Sequence, residues 1–202
     1  SGAMQAGGME YPTFITGDSA YGMPKGFKMP ETVVEHEFGH QYWYGMVATN
    51  EFEDAWLDEG INSYTEVKVL AALYGKNTDL LNMNGATMGD DAQQRLGYVG
   101  SADLDPMTSN AWDYVTSNSY GAITYGKTAT VLLTLESIIG EQKMQEAIRT
   151  WFERYKFTHP TEEDFMNTVN QVAGQDLSWY WDQAVKGTQV LDYNILSAKS
   201  FS

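Results

Sequence analysis

His36-Glu37-Phe38-Gly39-His40, followed by Trp56-Leu57-Asp58-Glu59-Gly60, is the stretch from which the rest of the chain is read. On a helix, positions i and i+4 lie on one face, so His36 and His40 can turn imidazole nitrogens toward one metal ion. Glu37, beside the first histidine, can then act as general base toward a water at that ion. A catalytic zinc takes three protein ligands and keeps one position open. Glu59 is the natural third ligand, and one zinc ion per chain is expected. The chain has only three histidines, and two of them fall in this pattern, which makes accidental spacing a poor account of it.

The 202 residues suit one domain, and 43% hydrophobic content is enough for a sizeable core. A net charge of -15 argues against nucleic acid and against anionic membrane surfaces. It is compatible with substrates carrying a positive amine, although a solvated acidic surface is the simpler and favoured reading. Without cysteine, disulfides and thiolate ligands are excluded. No apolar run approaches the roughly 20 residues that span a bilayer. The opening Ser1-Gly2-Ala3-Met4 reads as part of a tag or linker remnant over residues 1–6.

Working outward, Tyr11 to Thr16 is rich in β-branched and aromatic residues and predicts a short strand, which Pro12 pushes to an edge. Such an edge could pair with a second copy of the chain, giving a homo-oligomer. Residues 17–29 read as a loop. From Pro30 the spacing of Val33, Val34, Phe38 and Tyr42 predicts a helix, with Tyr42, Trp43 and Tyr44 as core. A second helix is expected from about Ala55–Asp58 to Leu73, stopped by Gly75. Residues 76–100 predict a short helix or two, with Asp90-Asp91 as a solvated loop pair, and residues 103–124 an irregular loop. Helices follow over Thr128–Ile139, Glu141–Tyr155, Thr161–Ala173 with a capping box, and Ser178–Val185; Leu191–Leu196 is a possible strand. The fold class is α+β, mostly α, with a small N-terminal β element.

In this order and spacing the chain resembles the zinc aminopeptidases of the gluzincin clan, the family of alanyl aminopeptidase and leukotriene hydrolase. Eighteen residues separate His40 from Glu59, as in the family signature. Gly7-Gly8-Met9-Glu10-Tyr11 is similar to the family's Gly-x-Met-Glu-Asn, Trp56–Gly60 to its Trp-Leu-Asn-Glu-Gly, and Thr124-Tyr125-Gly126-Lys127 to the segment that carries its catalytic tyrosine. Tyr11 and Asp58 stand where Asn is usual, and Gly126 where Glu is common. The resemblance implies a thermolysin-like zincin catalytic domain over residues 7–190, with 191–202 opening a following segment. It implies peptide substrates with a free N-terminus. His36, His40 and Glu59 would be the zinc ligands, Glu37 the general base, and Tyr125 a donor to the oxyanion. Glu10 would pair with the substrate ammonium, and Gly8 and Met9 would line the substrate with backbone.

Glu66, seven residues beyond Glu59, is a candidate for orienting a zinc histidine and Ser63 a weaker one, with a place on the helix surface the favoured reading of both. His159, before Pro160, is read as structural. Two alternatives stand beside aminopeptidase chemistry: an epoxide-opening or endopeptidase activity on the same site, and a zinc-binding scaffold or incomplete fragment with little turnover.

Overall fold

The computed structural model describes residues 7–17 and 21–189. Helix α1 (Met29–Gly39) opens with Pro30 in its first turn, where an absent N–H costs nothing. His36 and Glu37 lie in its last turns. His40 follows at the C-cap with helical angles, so the i, i+4 relation of the two histidines survives the end of the helix. Ala55 leads into a wide turn, Trp56–Gly60, in which amides reach back five residues instead of four, and then into α2 (Ile61–Tyr74). Gly75, at φ 90°, ends α2 in a conformation that a side chain would resist.

Helices α1 and α2 cross at Gly39 and Asn62. A Cβ on Gly39 would overlap the Asn62 side chain. Asn62 is fully buried and donates to the His36 carbonyl at 2.7 Å, which fixes the crossing beside the histidines. Behind α2 lie α5 (Thr128–Ile139), α6 (Glu141–Tyr155) and α7 (Glu162–Ala173), with α2 packed on α5 and α6 on α7. Trp56, Leu57 and Ile61 meet Leu132 and Leu135 of α5, Trp151 of α6 and Phe165 of α7 in one core. Phe165 takes Trp56 and Trp151 edge-on at 5.7 and 5.2 Å. Tyr64 and Lys68 of α2 both donate to Glu136 of α5, at 2.5 and 2.9 Å, and Lys68 also reaches Glu141 of α6 at 2.8 Å.

The capping box at Thr161 is present, with Asp164 as its partner, and α7 ends on Gly174 in the left-handed region. The last helix, α8 (Ser178–Tyr180), continues into a second wide turn, Trp181–Val185. Leu191–Leu196 lies outside the described residues.

Four sequence expectations are corrected. Tyr11–Thr16 is not a strand: β1 (Gly8–Met9) pairs antiparallel with β2 (Thr16–Gly17), and Pro12 and Thr13 turn the chain between them. The extended edge from which a homo-oligomer was argued is therefore replaced by a turn. Residues 76–100 hold a hairpin, β3 (Leu81–Met83) with β4 (Ala86–Met88), turning through Asn84 at φ 52° and Gly85 at φ 83°, and then α3 (Asp90–Tyr98). The presumed loop at 103–124 contains α4 (Ser117–Gly121), capped by Thr116. Of the three aromatics after the zinc-motif helix, only Trp43 is buried. Tyr42 is 44% exposed, and Tyr44 is partly exposed with a φ of 97°.

Candidate active site

The ends of α1 and of the first wide turn meet. Nε2 of His36, Nε2 of His40 and Oε2 of Glu59 form a triangle with sides of 3.1, 3.1 and 3.2 Å. Ligand atoms placed tetrahedrally about an ion at 2.0–2.1 Å stand about 3.3 Å apart, so the triangle has the size of one face of a zinc site. Among the described residues this is the group of three whose ligand atoms converge. Two nitrogens and one carboxylate oxygen are also the donor types that suit zinc.

The far nitrogens of both rings are held. His36 Nδ1 meets Glu66 Oε2 at 2.9 Å, so Glu66 is a buried partner of the ring and not the helix-surface residue that the sequence favours. His40 Nδ1 points at the Trp43 carbonyl, 3.2 Å away, and makes an off-axis ion pair with Asp58 Oδ1 at 2.8 Å. With Nδ1 acting as donor in each ring, Nε2 is the atom that faces the triangle, and its lone pair is available to a cation there once its proton is displaced. Burial works against charge on both histidines. For His36, hydrogen bonds to Glu59 and Glu66 outweigh it and hold the group at about 10; for His40, Asp58 and Glu59 raise it to about 11. Glu59 is half-buried, which works against its charge, yet its hydrogen bonds to the two rings bring it down to about 2. The cluster is thus built to gather positive charge. Ser63 does not orient a histidine: its hydroxyl donates to the Glu59 carbonyl at 2.8 Å.

A cleft of about 640 Å³ opens over the triangle. His36, Glu37, His40, Glu59, Tyr125, Gly8, Met9 and Glu10 all line it, so the structure brings together every residue singled out for chemistry. Glu37 is 7% exposed, and burial pushes its carboxyl above the usual range, partly offset by His36 and His40. A Cβ on Gly8 would collide with the Glu37 carboxyl, which accounts for glycine there. Gln41 fastens the β1–β2 hairpin to the end of α1. Its amide group donates to the Glu10 carbonyl at 3.5 Å and accepts from the Thr13 amide at 3.1 Å.

Tyr125 lies in a third wide turn, Ala122–Lys127, and its ring stacks on His36 with centroids 5.6 Å apart. It is the one tyrosine lining this cleft. Burial and the Glu59 carboxylate hold its phenol strongly in the neutral form. Gly126 backs onto the Gln94 carbonyl, 2.6 Å from where a Cβ would stand, so no larger residue fits. His159 is remote from the cleft and bonds the Ala48 carbonyl at 2.8 Å, a structural contact. Sequence reasoning missed Glu51 and Gln94, which also line the cleft, and the pairing of Asp58 with His40. Only Asp58 gave a signal, as a carboxylate next to a ligand.

The Peptidase family M1 domain matches residues 1–183 of the chain. The chain belongs to peptidase family M1. Its relatives in the family include a probable aminopeptidase 1 of Sulfurisphaera tokodaii, 23% identical over 147 residues, a match covering 72% of this chain and 18% of that protein. Aminopeptidase N of Rattus norvegicus is 27% identical over 144 residues, covering 69% and 14%. The M1 chain thus spans about a fifth or less of the length of these relatives. Among solved structures, an M1 zinc metallopeptidase from Deinococcus radiodurans matches with a TM-score of 0.67 at 17% identity, covering 95% of this chain and 39% of that one. Yeast LTA4 hydrolase matches at 0.66 and 18% identity, covering 94% and 31%. At such identities the likeness is one of fold, and it agrees with the mostly helical α+β M1 domain described above.

Proposed function

We propose that the chain carries the catalytic centre of a zinc-dependent aminopeptidase, which hydrolyses the first peptide bond of substrates with a free N-terminus. The observation that carries this reading is the triangle of His36, His40 and Glu59 in the same cleft as Glu37 and Glu10. The three would hold one zinc ion. Such an ion supplies a Lewis acid and lowers the pKa of water to about 7.

The remaining steps belong to the side chains. Glu37 takes a proton from the attacking water and delivers it to the departing amine, a task suited to a carboxylate whose proton affinity burial has raised. Tyr125, kept neutral, donates its hydroxyl to the oxyanion that forms on the substrate carbonyl. Glu10 pairs with the substrate ammonium, and Gly8 and Met9 run beside the substrate as extended backbone. An anchored amine leaves room for one residue before the scissile bond, which separates an aminopeptidase from an endopeptidase.

Zinc content by elemental analysis, paired with hydrolysis of an alanyl-arylamide by wild-type protein and Glu37→Gln, tests the reading. About one zinc in both proteins is expected, with turnover falling about 100- to 10,000-fold in the variant. Zinc with no turnover in either protein would identify a binding scaffold instead. Protein that takes up no zinc when it is supplied would overturn the metal reading.

A further inference from the structure

On the Nδ1 side of His36, carboxyl groups crowd into the protein interior. Glu66, Asp79 and Asp90 are 3%, 1% and 0% exposed. Asp90 is therefore not the solvated loop residue that the sequence implies, but the first residue of α3. Glu66 already accepts twice, from His36 Nδ1 at 2.9 Å and from Gln94 Nε2 at 3.1 Å. Asp79 accepts the Asp90 amide at 2.9 Å. Gln94 Nε2 stands 3.5 Å from Asp90 Oδ2, so one amide touches both carboxyl groups. Asp90 Oδ1 is buried and receives no donor.

Three buried carboxylates without neutralisation would be costly. Glu66 is paired with His36, but among the described residues no lysine, arginine or histidine pairs with Asp79 or Asp90. A cation is not the answer either, because their oxygens do not converge as those of the cleft triangle do. The charge must be relieved by a proton. Glu66 is committed as an acceptor to two donors, and Asp79 to the start of α3. Asp79 and Asp90 each keep one buried oxygen without a donor, but Asp90 is the more deeply buried and is the one that shares a donor, the Gln94 amide, with Glu66. Burial first, and the neighbouring Glu66 second, raise its carboxyl to about 9. A buried carboxyl kept neutral at pH 7 becomes a hydrogen-bond donor.

We propose that Asp90 is a positioning residue for the metal site: as a neutral carboxylic acid it donates its O–H to Glu66 and, with the Gln94 amide, fixes the carboxylate that orients His36. This rests on the reading of His36, His40 and Glu59 as metal ligands. Partners of this outer kind govern metal affinity through the tautomer and direction of the ligand ring, and their loss weakens binding about 10- to 100-fold.

The test is zinc affinity, measured by competition with a chromophoric chelator, in wild-type protein, Asp90→Asn and Asp90→Leu, together with infrared difference spectra of wild type against Asp90→Asn at pH 7. Asn keeps a donor in place, so Asp90→Asn should bind zinc within about threefold of wild type. Asp90→Leu keeps the bulk without the donor and should bind about 10- to 100-fold more weakly. The difference spectrum should contain the carbonyl band of a neutral carboxylic acid, lost in Asp90→Asn. Wild-type affinity in Asp90→Leu, or absence of that band, would overturn the proposal while leaving the metal site standing. If Asp90→Leu does not fold, the band and the Asp90→Asn affinity decide. Wild-type protein that takes up no zinc would instead remove the metal reading on which the proposal rests.

Discussion

Glu37 and Glu10 are carboxylates in one cleft, and their surroundings divide the work between them. Glu37 is enclosed between α1 and Gly8, where nothing but a glycine leaves it room. Glu10 sits at the end of β1, on a hairpin pinned by Gln41. On the proposed reading, one is placed to move a proton and the other to hold a charge. Glu10→Ala should therefore spare zinc content but cost about 10- to 100-fold in kcat/KM for substrates with a free amine, the worth of a charge-assisted hydrogen bond. The check is the ratio of rates on a peptide and on its N-acetylated form, which should collapse toward one. An undiminished preference for the free amine would remove Glu10 from the anchor role.

At the scale of elements, three wide turns recur among the described residues, and two of them hold residues of the proposed chemistry: Glu59 in Trp56–Gly60 and Tyr125 in Ala122–Lys127. These two turns pack on each other, and a Cβ on Gly60 would stand 2.8 Å from the Thr124 carbonyl of the second and run into Thr128 at the start of α5. Gly60→Ala should lower stability by about 1–3 kcal/mol, the usual cost of overpacking, and weaken zinc binding by displacing Glu59. Denaturant midpoints and chelator competition measure the two effects; an unchanged midpoint would refute the packing argument. The helices were legible because their signals are local: Pro30 at a start, Thr161 with Asp164 in a cap, Gly75 and Gly174 as stops. The metal triangle was legible for the same reason, being set by i, i+4 spacing and one further glutamate. The wide turns were not, because five residues of shifted register leave the apolar pattern almost unchanged. The hairpin at 81–88 had its signal in Asn84-Gly85, but its strands are too short to alternate visibly. Asp90 and Gln94 join the site only through tertiary packing, which no local pattern announces.

At the scale of the whole molecule, a proton held on Asp90 links stability to pH. The ordinary aspartate value is 3.8, and the folded value is about 9. The folded state then binds one more proton than the unfolded state between those limits. The contribution is fully present below about pH 3.8 and is lost as pH rises through about 9, at a slope of at most about 1.4 kcal/mol per pH unit. Asp90→Asn should flatten the stability profile of the native protein across that window, and parallel profiles for the two proteins would contradict it. The pinned hairpin has a different consequence. Its two strands hold only two paired positions, Gly8 with Gly17 and Met9 with Thr16, whereas the ligand-bearing helices cross over a fully buried Asn62. Amide exchange should therefore be fast along the hairpin and slow at the crossing. On the proposed reading, the device that gauges a substrate's free end is then a light latch on a rigid anvil, fastened by few bonds beside a firmly built seat.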